Sequence, residues 1–102
     1  MTAPGDVLAD IADERRRQDN KWGEQNHPDG TGGPHTAAYA AHDKALCDRE
    51  HRKGRGTWLH ILQEEVSEAF AESDPAKLRA ELVQVAAVAA AWIEAIDRRA
   101  AS

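Results

Sequence analysis

One cysteine in 102 residues, Cys47, leaves no internal disulfide and no second thiolate for a zinc site. Aromatic residues are scarce at 5%, so the core has to come from Leu, Val, Ile, Ala and the three tryptophans. Much of the apolar content is alanine, which packs closely but buries little area per residue. Long hydrophobic runs are missing as well: the longest, Val85 to Ile93, is far too short to span a bilayer. The stretch from Met1 to Asp6 lacks a basic start followed by an apolar segment, so no signal peptide is expected and the cytoplasm is the default compartment. No excess of positive charge is present either. The formal net charge is −5 and the mean hydropathy −0.68, a balance that argues against a general nucleic-acid binder, which needs cations to replace phosphate counterions. The short basic clusters Arg15-Arg16-Arg17 and Arg49 to Arg55 read as solvated helix surface.

A chain of this length is expected to form one domain with a marginal core, for which help from a partner subunit is plausible. Four helices and no strand are legible. The first begins after Pro4-Gly5 with Asp6 as its cap and carries Val7, Leu8 and Ile11 on one face. That face continues through Glu14, Arg15 and Gln18 to Trp22, so its second half is expected to line a wet cavity rather than a core. Gly23 to His35 holds four glycines and two prolines and reads as a connector; as a phosphate cradle it lacks the Gly-Lys-Ser/Thr ending of a P-loop. The second helix runs from about Thr36 to Lys53 with Tyr39, Leu46 and Cys47 inward, and Gly54 stops it. Thr57 caps the third, Trp58 to about Glu72. Asp74 and Pro75 open the fourth, which reaches about Arg99.

The third and fourth helices carry an anomaly. At 100° per residue, Trp58, Ile61, Leu62 and Ala69 share a stripe, yet Glu65 sits in its middle with Glu68 and Glu72 close beside it. His60, Gln63 and Ser67 mark the opposite, solvent side, and Glu64 lies at the edge. On the fourth helix Leu78, Leu82, Val85, Val88, Ala89, Trp92 and Ile96 form the stripe, with Glu81 inside it and Gln84 one turn on. A short turn makes these helices antiparallel, so both aim carboxylates at a shared interface. Like charges there repel and are costly to bury. Pairing with Arg15, Lys21 or Arg79, protonation, or a divalent cation would each relieve the cost. For Glu65, Glu68 and Glu81 as a set, with an amide beside them, a cation fits best, and all-oxygen ligands select Mg²⁺ or Mn²⁺ over zinc. The five histidines, His27, His35, His42, His51 and His60, are scattered and form no HExxH pattern.

Glu64-Glu65-Val66-Ser67-Glu68, then twelve residues, then Glu81-Leu82-Val83-Gln84 resembles the EExxE…ExxD signature of the MazG-like all-α nucleotide pyrophosphohydrolases. The opening Glu14-Arg15-x-Arg17-Gln18-x-x-Lys21-Trp22-Gly23-x-Gln25 is similar to that of small MazG-like proteins of phages and actinobacteria. The resemblance implies an antiparallel four-helix bundle completed by homodimer or homotetramer formation. It implies Mg²⁺-dependent hydrolysis between the α and β phosphates of a nucleotide, giving a monophosphate and pyrophosphate. Glu65, Glu68 and Glu81 would hold the metal, and Glu64 would orient or deprotonate the attacking water. Gln84 stands where the family has Asp and would offer a neutral carbonyl oxygen. The sequence ends at Ser102 without the basic and amide residues that grip phosphates in longer relatives. Substrate contacts would then fall to Arg15, Gln18, Lys21 and Trp22, or to Lys53 and Arg55 of a partner subunit. Trp22 has two open roles, base stacking and core packing. The rival expectation is a catalytically degenerate relative that binds nucleotide or a protein, and a third is a helical adaptor with every glutamate salt-bridged.

Overall fold

The computed structural model describes residues 4–101; Met1 to Ala3, the start of the stretch weighed as a leader, lie outside the described residues, as does Ser102. The described residues form four α-helices and no strand: α1 (Pro4–Trp22), α2 (Thr36–Arg52), α3 (Trp58–Ala71) and α4 (Pro75–Ala101). No described helix is long and apolar enough to cross a membrane. Two compact units are distinguished. One runs up to Asp29 and resumes at Ala90; the other is Gly30–Ala89.

In the second unit α2 and α3 pack antiparallel, as their cross-contacts require. His51 meets His60, Lys44 meets Glu64 and Asp43 meets Ser67, one number falling as the other rises. This corrects the expectation that His60 and Ser67 face solvent. The α2-facing side of α3 is held by paired polar groups rather than hydrocarbon, so a hydropathy pattern mistakes it for surface. Cys47 is buried as expected, but Tyr39 is 65% exposed, and the buried group between them is Asp43. At the helix ends the sequence signals act as expected. Thr57 Oγ1 accepts from the His60 amide while His60 Nδ1 accepts from the Thr57 amide, a capping box with histidine as the reciprocal partner. Asp74 accepts from the Lys77 amide at 3.0 Å. Gly54 takes a left-handed φ of 74° just after α2.

The end of the Gly/Pro-rich loop is more than a connector. The Gly32 amide donates to the Phe70 carbonyl at 2.8 Å, and Thr31 Oγ1 donates to the Glu72 carbonyl at 2.6 Å. Both bonds satisfy carbonyls that the last turn of α3 leaves open. Gly32 has a φ of 75°, and a Cβ there would stand 2.8 Å from Ser73 Cβ. Gly32→Ala is therefore expected to lower stability by about 1–2 kcal/mol through backbone strain and steric contact. Urea unfolding of the two proteins checks this, with Gly33→Ala, where a Cβ meets nothing within 4 Å, as the comparison.

In the first unit Val7 is fully buried and Ala90 is buried. The helix begins at Pro4, so Asp6 lies in its first turn and is not its cap. There its charge complements the positive helix end. Leu8, expected inward, is 60% exposed; it lies ~100° round the helix from Val7, whereas half-buried Ile11 shares the Val7 face. On α4 the expected stripe is only partly covered. Leu78 is buried, but Leu82 and Ile96 are 50% and 44% exposed.

Candidate metal centre

The acidic set follows from two helical registers. Glu65 and Glu68 are three residues apart on α3 and so share a side, and Glu81 reaches them from the second turn of α4. Each of the three is half-buried, and one oxygen from each lies within 4.8 Å of the others. Oxygen ligands at about 2.0–2.1 Å from Mg²⁺ stand roughly 3–4 Å apart, so small side-chain rotations bring this donor set to an ion's shell. None of the three forms an ion pair among the described residues. Burial pushes both Glu65 and Glu68 above the ordinary carboxylate range. Repulsion from Glu64 and Glu81 adds to this at Glu65, and repulsion from Glu65, Glu81 and Glu64 adds to it at Glu68, with Lys44 partly offsetting the latter. Carboxylates crowded in this way are what a divalent ion would relieve.

The remaining sequence candidates separate into groups. Glu64 lies outside the clustered set: its Oε1 is 3.8 Å from Lys44 Nζ, and its carboxylate faces the Cys47 thiol, which burial chiefly, with that acceptor's help, pushes up to about 11. That thiol is no nucleophile at neutral pH. Lys44 is thus the cation beside Glu64, and it was not among the cations weighed from the sequence. Gln84, one turn beyond Glu81, is exposed.

Arg15, Gln18, Lys21 and Trp22 belong to the other unit. Arg15 Nη1 donates to Gln18 Oε1 at 2.7 Å and Nη2 pairs with Asp19 at 3.0 Å. Arg15, Gln18 and Asp19 border an open cleft of about 640 Å³ with Gly23, Glu24 and Gln25, all of them exposed. Lys21 Nζ lies 4.8 Å from the centre of the Trp22 ring, which is 63% exposed and so outside any core of its unit. Arg16 and Arg17 pair with Asp13 and Glu14 of their own helix, so the basic cluster is a neutralised surface. Asp43, Ser67 and Lys44 were missed. The signal for Asp43 was present: it interrupts the Tyr39–Leu46–Cys47 stripe of α2 as Glu65 interrupts that of α3.

The shifts at Glu65 and Glu68 set a sign for pH dependence. Their folded-state pKa values lie above the unfolded 4.5, so the folded chain holds more protons in the window just above 4.5. Stability then falls as pH rises through that window and grows on acidification into it. Asp43 and Glu50, both held low by hydrogen bonds from Ser67 and Arg55, act oppositely, their contribution being lost only as pH falls below the ordinary carboxylate range. Melts in chelator are expected to rise as pH falls through the range just above 4.5, and Glu65→Gln is expected to flatten that slope. An identical slope in the variant would refute the assignment.

Compared with known proteins, the chain matches no family model, no curated protein and no solved structure.

Proposed function

We propose that the chain is a divalent-metal-dependent nucleoside triphosphate pyrophosphohydrolase, cleaving between the α and β phosphates to release a nucleoside monophosphate and pyrophosphate. One observation carries this: three glutamates from two helices bring an oxygen each within 4.8 Å, and none of the three is ion-paired among the described residues. Glu65, Glu68 and Glu81 would hold the ion, with the neutral oxygen of Gln84 as a further donor. When bound, Mg²⁺ or Mn²⁺ neutralises phosphate charge and makes water more acidic. Glu64, next to Glu65 in the chain, would accept a proton from the attacking water.

A nucleotide panel with Mg²⁺ or Mn²⁺, scored for pyrophosphate against orthophosphate, tests the reaction. Pyrophosphate with monophosphate supports it. Tight nucleotide binding without product supports the second reading, a catalytically degenerate relative, which the neutral Gln84 favours. The absence of both product and binding would support a helical adaptor.

The proposal includes self-association. Leu82, Val83, Ile93 and Ile96 of α4 are 39–52% exposed, and a helix apolar on several sides is stable when covered on several sides. A homodimer or homotetramer through α4 is expected at micromolar concentration by light scattering; a monomer there would exclude it.

A further inference from the structure

A cavity of about 440 Å³ opens between α2 and α3, with Tyr39, His42 and Asp43 on one wall and Gln63, Ser67 and Phe70 on the other. At 100° per residue, Gln63, Ser67 and Phe70 fall on the side of α3 roughly opposite Glu65, so the carboxylate set does not use it. The volume is that of a small-molecule site. Its floor is a buried carboxylate. Asp43 is 9% exposed, accepts a hydrogen bond from Ser67 Oγ and lies 3.2 Å from His42 Nδ1. The Ser67 bond, helped by His42, holds it below the ordinary carboxylate range against its burial, and so in the charged form. No lysine or arginine among the described residues pairs with it. Lys44, the next residue, turns instead to Asp48 and Glu64. Its ionic neighbour is an imidazole, which is not a permanent cation.

The rim has the complementary character. Tyr39 and Phe70 are 65% and 57% exposed, and Gln63 is exposed beside them with a second acceptor oxygen. An anion entering here would meet the Asp43 charge, and a hydrocarbon would cover that charge without a partner. A cation gains from the carboxylate and from the aromatic faces together. A planar, weakly hydrated cation with several N–H donors suits this set better than a compact ammonium. We propose that this cavity binds a guanidinium or amidinium group, its N–H groups donating to Asp43 and Gln63 and its plane lying against Tyr39 and Phe70.

The test is a titration of the full chain with N-acetyl-arginine amide and with its uncharged isostere N-acetyl-citrulline amide, followed by side-chain NMR signals of Tyr39, His42, Gln63 and Phe70. Saturable shifts are expected with the arginine compound, and binding weaker by about tenfold or more with citrulline. Asp43→Asn is expected to abolish binding. Because that variant removes a buried group, Tyr39→Ala and Phe70→Ala provide the decisive arm, since both side chains are exposed. Each is expected to weaken binding about threefold or more at unchanged melting temperature. Light scattering during the titration separates the sources: a fall in assembly size means that an arginine of a second copy occupies the cavity, and a constant size means a free compound. Equal binding of citrulline, unchanged binding in both aromatic variants, or no saturable shift at tens of millimolar would overturn the proposal.

Discussion

Glu65→Gln is expected to leave the metal-free protein as stable as wild type or more so, and to erase the stabilisation that Mg²⁺ or Mn²⁺ confers. Glu65 sits half-buried beside Glu64 and Glu81, whose charges push its own pKa up together with burial. A neutral side chain of the same shape removes that repulsion. A ligand that binds only the folded chain adds RT ln(1 + [L]/Kd), about 2.7 kcal/mol when the metal is at one hundred times its Kd. Losing one of three charged donors is expected to remove most of this gain. A salt-bridged Glu65 would behave in the opposite way, since removing one member of a buried pair costs roughly 3–5 kcal/mol and carries no metal dependence. Thermal melts of both proteins with metal and with chelator measure the difference.

The second large effect is expected at Ser67. Its hydroxyl donates to the Asp43 carboxylate in the α2–α3 interface, and this bond is the main cause of the lowered Asp43 pKa. Ser67→Ala leaves a buried carboxylate short of a donor, a loss of about 2–3 kcal/mol at neutral pH. Because the folded-state pKa of Asp43 lies below its usual 3.8, its contribution is complete above that value and is lost as pH falls through the folded-state value. The difference between wild type and Ser67→Ala should therefore be full at pH 7 and close below about pH 3.8. Urea unfolding across that range checks it. A constant difference would mean that Ser67 acts by packing alone.

These two residues also mark what could be read in the sequence. Glu65 was legible because a charge in the middle of an apolar stripe violates the helical period, and Glu81 violates it in the same way. The helix boundaries at Thr57 and at Ser73-Asp74-Pro75 were legible because capping chemistry is local. Ser67 was not. Its helix face pairs serine, histidine and glutamate with polar partners on α2, and an interface built from satisfied polar groups has the hydropathy of a surface. Asp43 interrupts a stripe as Glu65 does, so the same rule applied to α2 would have found it. Leu82 and Ile96 fit the apolar stripe of α4 but stay half-exposed, because a period identifies which face is apolar and says nothing of what covers it. The loop glycine Gly32 docks on α3 through its backbone amide, and composition carries no trace of that bond.

The most direct measurement is Mn²⁺ binding, followed by the loss of the free-ion electron paramagnetic resonance signal on adding protein, because it reads the carboxylate set without needing the substrate. One Mn²⁺ per chain is expected in wild type, competed by Mg²⁺, and strongly weakened by Glu65→Gln and by Glu81→Gln, while Glu94→Gln, outside the carboxylate set, leaves it unchanged. Mn²⁺ that stays free beside wild-type protein, or that binds both variants as tightly as wild type, would contradict a metal centre formed by Glu65, Glu68 and Glu81.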